Sequence, residues 1–275
     1  PGQGAAVQPR PPLGADPGAL TVGTGHAHPL YLPGASPLHR ARPQCKIAAS
    51  LLFVLAVVAT PREALWAYGL YALLLLGLAR VGRVPLAFLA RRLVIEVPFL
   101  LFAVLLPVVG QGERVEVLGL PLAREGLWAA WNILVKGTLG VAASVLVAAT
   151  TPVPELLRGL ERLRLPRAFT TVAGFMVRYA DVIADELRRM RVARLSRGYD
   201  PRWIWQARAV AATAGALFIR SYERGERVYL AMVSRGYAGA MPVLEDLAAS
   251  RRQWLAALAA PAAAALVAAT AWGLR

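Results

Sequence analysis

The chain of 275 residues contains one cysteine, Cys45, so it can form no internal disulfide and no zinc cage built on thiolates. Histidine is almost as scarce. His26, His28 and His39 all precede the first apolar run, which leaves no histidine for catalysis in a membrane. The pair His26 and His28 is too sparse to read as a metal site, and none is expected. The only lysines are Lys46 and Lys136. Lys46 is followed by Ile47 and Lys136 by Gly137, so neither completes a Gly-x-x-x-x-Gly-Lys-[Ser/Thr] phosphate loop. The chain is therefore not expected to hydrolyse ATP. No Ser/His/Asp set and no His-Glu-x-x-His pattern is present, so no catalytic residue is assigned. Charge is scarce too: 17% of residues are charged against 57% hydrophobic. That balance points to a helical membrane protein.

The charge that is present is one-sided, at +15. Nearly all of the cationic residues are arginine. In a membrane chain such an excess belongs to cytoplasmic segments, and no nucleic-acid partner is expected. Residues 1–45 are rich in proline and glycine without a helical period and read as a disordered tail. Their start lacks the basic and then apolar pattern of a signal peptide. Apolar runs follow at Ile47–Thr60, Ala64–Ala79, Leu93–Val109 and Leu127–Thr150, with a last one at Trp254–Trp272. The expected fold is an all-α integral membrane protein with about five membrane helices and a cytoplasmic block of amphipathic helices. Its segments are the tail at 1–45, membrane helices at 46–150, the block at 151–250 and a final membrane helix at 251–275. Arg80, Arg83, Arg91 and Arg92 mark the loop after the second run as cytoplasmic, which puts the N-terminus and the block on the same side. Cys45 is then expected on the cytoplasmic side. The outer loop, Glu113 to Leu120, alternates polar and apolar residues and reads as a small hairpin. Glu96 and Lys136 fall within spans and are functional candidates by default, but their depths match poorly for a pair.

The block carries eighteen arginines from Arg158 to Arg252. Thr150 and Thr151, then Pro152 and Glu155, read as a hydroxyl-capped helix start. The helix that follows shows Leu156, Leu157, Leu160 and Leu163 on one face. A long amphipathic helix then has Val172, Phe175, Met176, Tyr179, Ile183, Leu187 and Met190 at spacings of three and four. Another has Leu217, Phe218, Tyr222, Tyr229, Met232 and Val233. These stripes form either the core of the block or a surface for a partner. Each long helix ends in the same four residues, Ser196-Arg197-Gly198-Tyr199 and Ser234-Arg235-Gly236-Tyr237. Glycine past the last helical residue permits a left-handed cap, and the arginine before it suits the negative helix end. Each copy reads as a helix tip that presents an arginine fork.

With these residues in view, the chain resembles the transmembrane T component of energy-coupling factor transporters. The likeness rests on Ala193-Arg194-Leu195-Ser196-Arg197-Gly198 and on Ala231-Met232-Val233-Ser234-Arg235-Gly236-Tyr237. The segments Thr150–Pro166 and Tyr222–Arg227 share in it. Ser36-Pro37-Leu38-His39-Arg40, with Pro43 and Lys46, is similar to the cobalt-type branch, from which Ala41-Arg42 and Gln44-Cys45 depart. The resemblance implies a non-catalytic scaffold in a prokaryotic inner membrane, with a cytoplasmic N-terminus. Its partners would be two ATPase subunits of the ATP-binding-cassette type and a small substrate-binding membrane subunit. ATP and magnesium would sit in the ATPases, with no cofactor in this chain, and the cargo would be cobalt or another transition metal ion. Ala193, Ser196, Arg197, Gly198, Ala231, Ser234, Arg235 and Gly236 would couple to the ATPases. Leu156, Leu160, Phe175, Met176, Tyr179 and Ile183 would meet the substrate subunit. The other class, a self-contained transporter or membrane enzyme, needs convergent polar residues at mid-membrane, which the sequence scarcely offers.

Overall fold

A computed structural model of the chain describes residues 30–110, 113–117, 120–199, 207–239 and 248–274. The elements are α1 (Pro37–Arg40), α2 (Pro43–Ala59), α3 (Leu65–Gly82), α4 (Leu86–Arg92), a 3-10 turn (Leu93–Glu96), α5 (Val97–Val109), β1 (Arg114–Val117), β2 (Leu120–Ala123), α6 (Arg124–Thr150), α7 (Val153–Arg162), α8 (Arg167–Ser196), α9 (Ala207–Val233) and α10 (Arg251–Gly273). Among the described residues, four stretches are long and apolar enough to cross a membrane: Leu65–Gly82, Leu86–Val109, Arg124–Thr150 and Arg251–Gly273. Pro43–Ala59 is apolar but shorter. This is the all-α membrane architecture expected, and the outer loop forms the small antiparallel hairpin, with Arg114 opposite Ala123 and Val117 opposite Leu120.

α2, α3, α6 and α10 pack around one core, in which Phe53, Val57, Tyr71, Leu75, Leu146 and Ala264 are buried. α5 leans on α6 and turns Phe99, Leu101 and Phe102 outward, each about 60% exposed, as suits a helix with lipid for solvent. Several polar groups inside the bundle bond to one another or to helix-end carbonyls, where no water is there to take their place. Tyr71 Oη lies 2.7 Å from Thr60 Oγ1 and donates to the Ala264 carbonyl at 3.2 Å. The two lysines do the same work at two places. Lys46 Nζ donates to the Thr150 carbonyl at the end of α6. Lys136 Nζ donates to the Val58 and Thr60 carbonyls at the end of α2, at 2.8 and 2.9 Å. Each ammonium thus serves the negative end of a neighbouring helix. Glu96 sits buried in the 3-10 break and accepts from Thr138 Oγ1 at 2.8 Å. It does not pair with Lys136.

Two sequence expectations change. His26 and His28 lie outside the described residues, but residues 30–45 of the expected disordered tail are built into the bundle. The Leu32 N–H donates to the Ala149 carbonyl at 2.9 Å, and the His39 ring is held between Ser36 Oγ and the Leu32 carbonyl. These bonds, the first of them to a residue far away in sequence, were hidden behind a proline- and glycine-rich composition. Thr150 and Thr151 do not cap α7. Its N-cap is Pro152 with no side-chain bond, while the Thr150 hydroxyl turns back to the Leu146 carbonyl of its own helix. Cys45 is only 1% exposed, packed where α2 starts, so its thiol cannot report which side it faces.

Gly126 marks the tightest crossing. A Cβ there would stand 2.5 Å from the Leu106 carbonyl oxygen and 2.7 Å from Pro107 Cα, so α5 and α6 touch backbone to backbone. Gly126→Ala should force these helices apart at a cost of about 1–3 kcal/mol. Gly77, with open space around its Cβ position, should tolerate alanine and gain up to about 1 kcal/mol from helix propensity. Thermal unfolding in detergent reads both, and equal effects would contradict the close crossing.

Candidate partner-docking surface

Below the spans, α7 is the anchor. It packs on α2, and Gly159 lies so close to Pro43 and Gln44 that a Cβ would sit 3.0 Å from their backbone. α8 packs on α7, and α9 packs on α8. Neither α8 nor α9 qualifies as a span; arginines interrupt their apolar stripes.

α8 and α9 run antiparallel. Arg194 Nη1 reaches Thr213 Oγ1 at 3.4 Å, and further back along both helices Glu186 meets Arg220 and Arg224. Arg220 Nη1 is 3.0 Å from Glu186 Oε1, and Arg224 Nη2 is 2.7 Å from Glu186 Oε2. Residues 220 and 224 are one helical turn apart, so the two guanidiniums grip both oxygens of one carboxylate from one face of α9. Glu186 is 8% exposed despite its charge. The hydrogen bond from Arg220 and then the pull of Arg224 hold its carboxyl below the usual glutamate range. Sequence reasoning missed this clasp. Its only sequence signals are an acid within an arginine-rich helix and a pair of arginines spaced by four.

The two helix tips have the same geometry. Gly198 has φ +74° and Gly236 has φ +85°. Gly198 N–H donates to the Leu195 carbonyl and Tyr199 N–H to that of Arg194; Gly236 N–H donates to Val233 and Tyr237 N–H to Met232. This pair of bonds is the Schellman closure, which satisfies the last carbonyls and needs a residue at ease with positive φ. Ser196 Oγ donates to the Ala193 carbonyl at 3.1 Å and Ser234 Oγ to the Ala231 carbonyl at 3.0 Å. The repeated Ala-x-x-Ser-Arg-Gly pattern is thus one structural unit used twice. Arg197 and Arg235 are exposed and, among the described residues, form no ion pair. Because residue 194 lies by 213 and residue 186 by 220 and 224, the chain directions are opposed and the two tips lie toward opposite ends of the pair.

Of the residues expected to meet a substrate subunit, Leu156, Leu160, Phe175, Tyr179 and Ile183 are half-buried and Met176 is 68% exposed. Phe175 and Tyr179 stack at 6.4 Å between centroids. The bare apolar area extends further than these residues, to Phe169 and Val172 on α8 and to Phe218, Ile219 and Tyr222 on α9. Aromatic and methionine side chains left open over two adjacent helices are the composition of a protein-binding face.

An apolar bundle with two arginine-tipped helices clasped beneath it defines an all-α integral membrane protein. The chain belongs to the CbiQ family, described as cobalt transport protein, whose profile matches residues 34–244. It is similar to the energy-coupling factor transporter transmembrane protein EcfT of Thermanaerovibrio acidaminovorans, with 31% identity over 224 residues, which are 76% of this chain and 82% of that one. Similarity to the cobalt transport protein CbiQ of Rhodobacter capsulatus is 31% over 166 residues, 59% of this chain and 65% of that protein. A putative fused cobalt transport protein CbiMQ of Methanocorpusculum labreanum is 29% identical over 150 residues, and the match spans a quarter of its length. The chain is therefore a transmembrane T component of the energy-coupling factor type, in its cobalt-type branch.

Glu186→Gln keeps the shape of the clasp but removes its charge. Amides of α9 should then exchange hydrogen several-fold faster, while those of α2 and α6 stay protected. The sign with pH follows from the lowered carboxyl: the clasp contributes above the ordinary glutamate range and is lost as pH falls through its depressed value. Wild type should approach the variant's behaviour on acidification. Unaltered α9 exchange in the variant would show that the clasp holds nothing.

Proposed function

We propose that this chain is the non-catalytic scaffold of an ATP-driven importer. It transmits the closure of two ATP-binding-cassette ATPase subunits to a small substrate-binding membrane subunit. The observation that carries the reading is the duplicated tip. Two identical Schellman-capped arginines stand toward opposite ends of a clasped pair, an arrangement that suits two separate copies of one partner. Arginine forks bind carboxylates and backbone carbonyls, which suits a groove on a cytoplasmic ATPase. ATP and magnesium belong to those partners. The substrate subunit rests on the open apolar face around Met176, Phe218 and Tyr222. The cargo is cobalt or another transition metal ion, a choice supported by the names of the relatives. The site is a prokaryotic inner membrane, with the N-terminus and the arginine-rich helices in the cytoplasm, as the loop charges support.

Arg197→Ala and Arg235→Ala leave Gly198 and Gly236 to close the helices. A truncated charge contact at an interface costs about 2–5 kcal/mol, whereas a solvated arginine costs little. Each substitution should leave membrane insertion intact and weaken ATPase copurification or uncouple ATP hydrolysis from metal uptake, and the double variant should not transport. Lysine should rescue only in part, since it lacks the planar fork. A double alanine variant that holds its ATPases and transports at the parental rate would overturn the coupling role. Orientation has its own check in a cysteine-free background. A thiol placed at exposed Pro33 should react with an impermeant reagent only in inverted vesicles, and one at Glu116 only in intact cells. The reverse pattern would invert the topology.

A further inference from the structure

The membrane bundle is not filled. A cavity of about 610 Å³ lies between α1, α2, α3, α6 and α10. It begins at the start of α2 and α10 and the end of α6, where Lys46, Gln253 and Thr150 line it, and runs inward to Phe53 and Pro261. Its walls are overwhelmingly apolar. The space exists because α10 faces the larger Phe53, Leu75 and Leu146 mainly with Ala256, Ala257 and Ala260. It opens to the surroundings of the bundle, and burying apolar groups along its walls is favourable. Water gains little there, for it needs two or more polar partners.

The polar groups of this cavity gather at one end. Arg40 lines it, is exposed, and forms no ion pair among the described residues. Lys46 stands beside it, its Nζ on the Thr150 carbonyl. Arg251 and Arg252, both exposed, begin the helix that forms the far wall. A partner helix, about 10 Å across with its side chains, is too thick for such a space. An acyl chain is not. Within a bilayer, an apolar slot with a cationic mouth fits one kind of molecule.

We propose that this cavity seats an anionic phospholipid from the leaflet on the arginine-rich side. Arg40 holds the headgroup phosphate at the mouth, and one acyl chain lies along Phe53, Leu75 and the alanines of α10. The lipid fills the void and ties α1 to α10. Basic pockets between membrane helices select anionic headgroups by charge, and the acyl chain adds apolar burial.

The full chain, purified in detergent, would be offered phosphatidylglycerol and phosphatidylcholine with identical acyl chains, and retention read by native mass spectrometry. One phosphatidylglycerol should be retained in preference, about fivefold for a single arginine at a membrane surface. Arg40→Gln, at an exposed position, should bring that preference close to one. Ala257→Phe, which fills the slot, should lose the lipid; Ala49→Leu is the milder filling variant if the bulkier one does not fold. Equal retention of both lipids, or an unchanged preference in Arg40→Gln, would overturn the proposal. Lipid kept undiminished by the filling variants would place it on the outer surface and overturn it as well.

Discussion

One carboxylate joins the two helices that carry the arginine tips. Glu186 is gripped by Arg220 and Arg224, and among the described residues this clasp and the Arg194–Thr213 bond tie α9 to α8. The placement of both tips depends on that junction. From that junction contacts run through α8 to α7, whose Gly159 rests directly on the start of α2. On the coupling role proposed above, a displacement at Arg197 or Arg235 would be carried to the membrane bundle along these packed elements.

The bundle itself obeys a different constraint. In hydrocarbon every backbone carbonyl at a helix end needs a donor. The two lysines of the chain meet that need across helices, Lys46 for α6 and Lys136 for α2. Trp272 does the same at the far end, its Nε1 donating to the Ala59 carbonyl at 2.9 Å. These bonds fix the register of α2 against α6 and α10, since sliding one helix by a turn would orphan both donor and acceptor. Close approach replaces side-chain bulk where α5 crosses α6 at Gly126. Where α10 offers mainly alanine and no neighbour closes in, the cavity remains. Small residues therefore have two opposite outcomes in this fold, set by whether the facing backbone can approach.

Local patterns made much of this legible. The apolar runs placed most of the membrane helices to within a few residues, because hydrocarbon demands continuous apolar length. The third is the exception: its apolar stretch begins at Leu86 and takes in Arg91 and Arg92, which read as loop. The Ser-Arg-Gly-Tyr repeats gave both helix ends, because only glycine accepts the φ of a Schellman closure at no steric cost. What composition obscured was order that depends on contact. Residues 30–45 read as a tail, yet Leu32 bonds to Ala149 and His39 back to Leu32. Thr150 and Thr151 carried a capping signature that the backbone did not use. Lys136 was a charge in a span until the end of α2 came to meet it. The sequence by itself determined the helices and the two glycine closures at Gly198 and Gly236, since each is decided within a turn or a single span. Only the tertiary structure decided that Glu186 faces two arginines, that the tips point apart and that α10 leaves a slot, because each joins residues from separate helices whose meeting no local periodicity encodes.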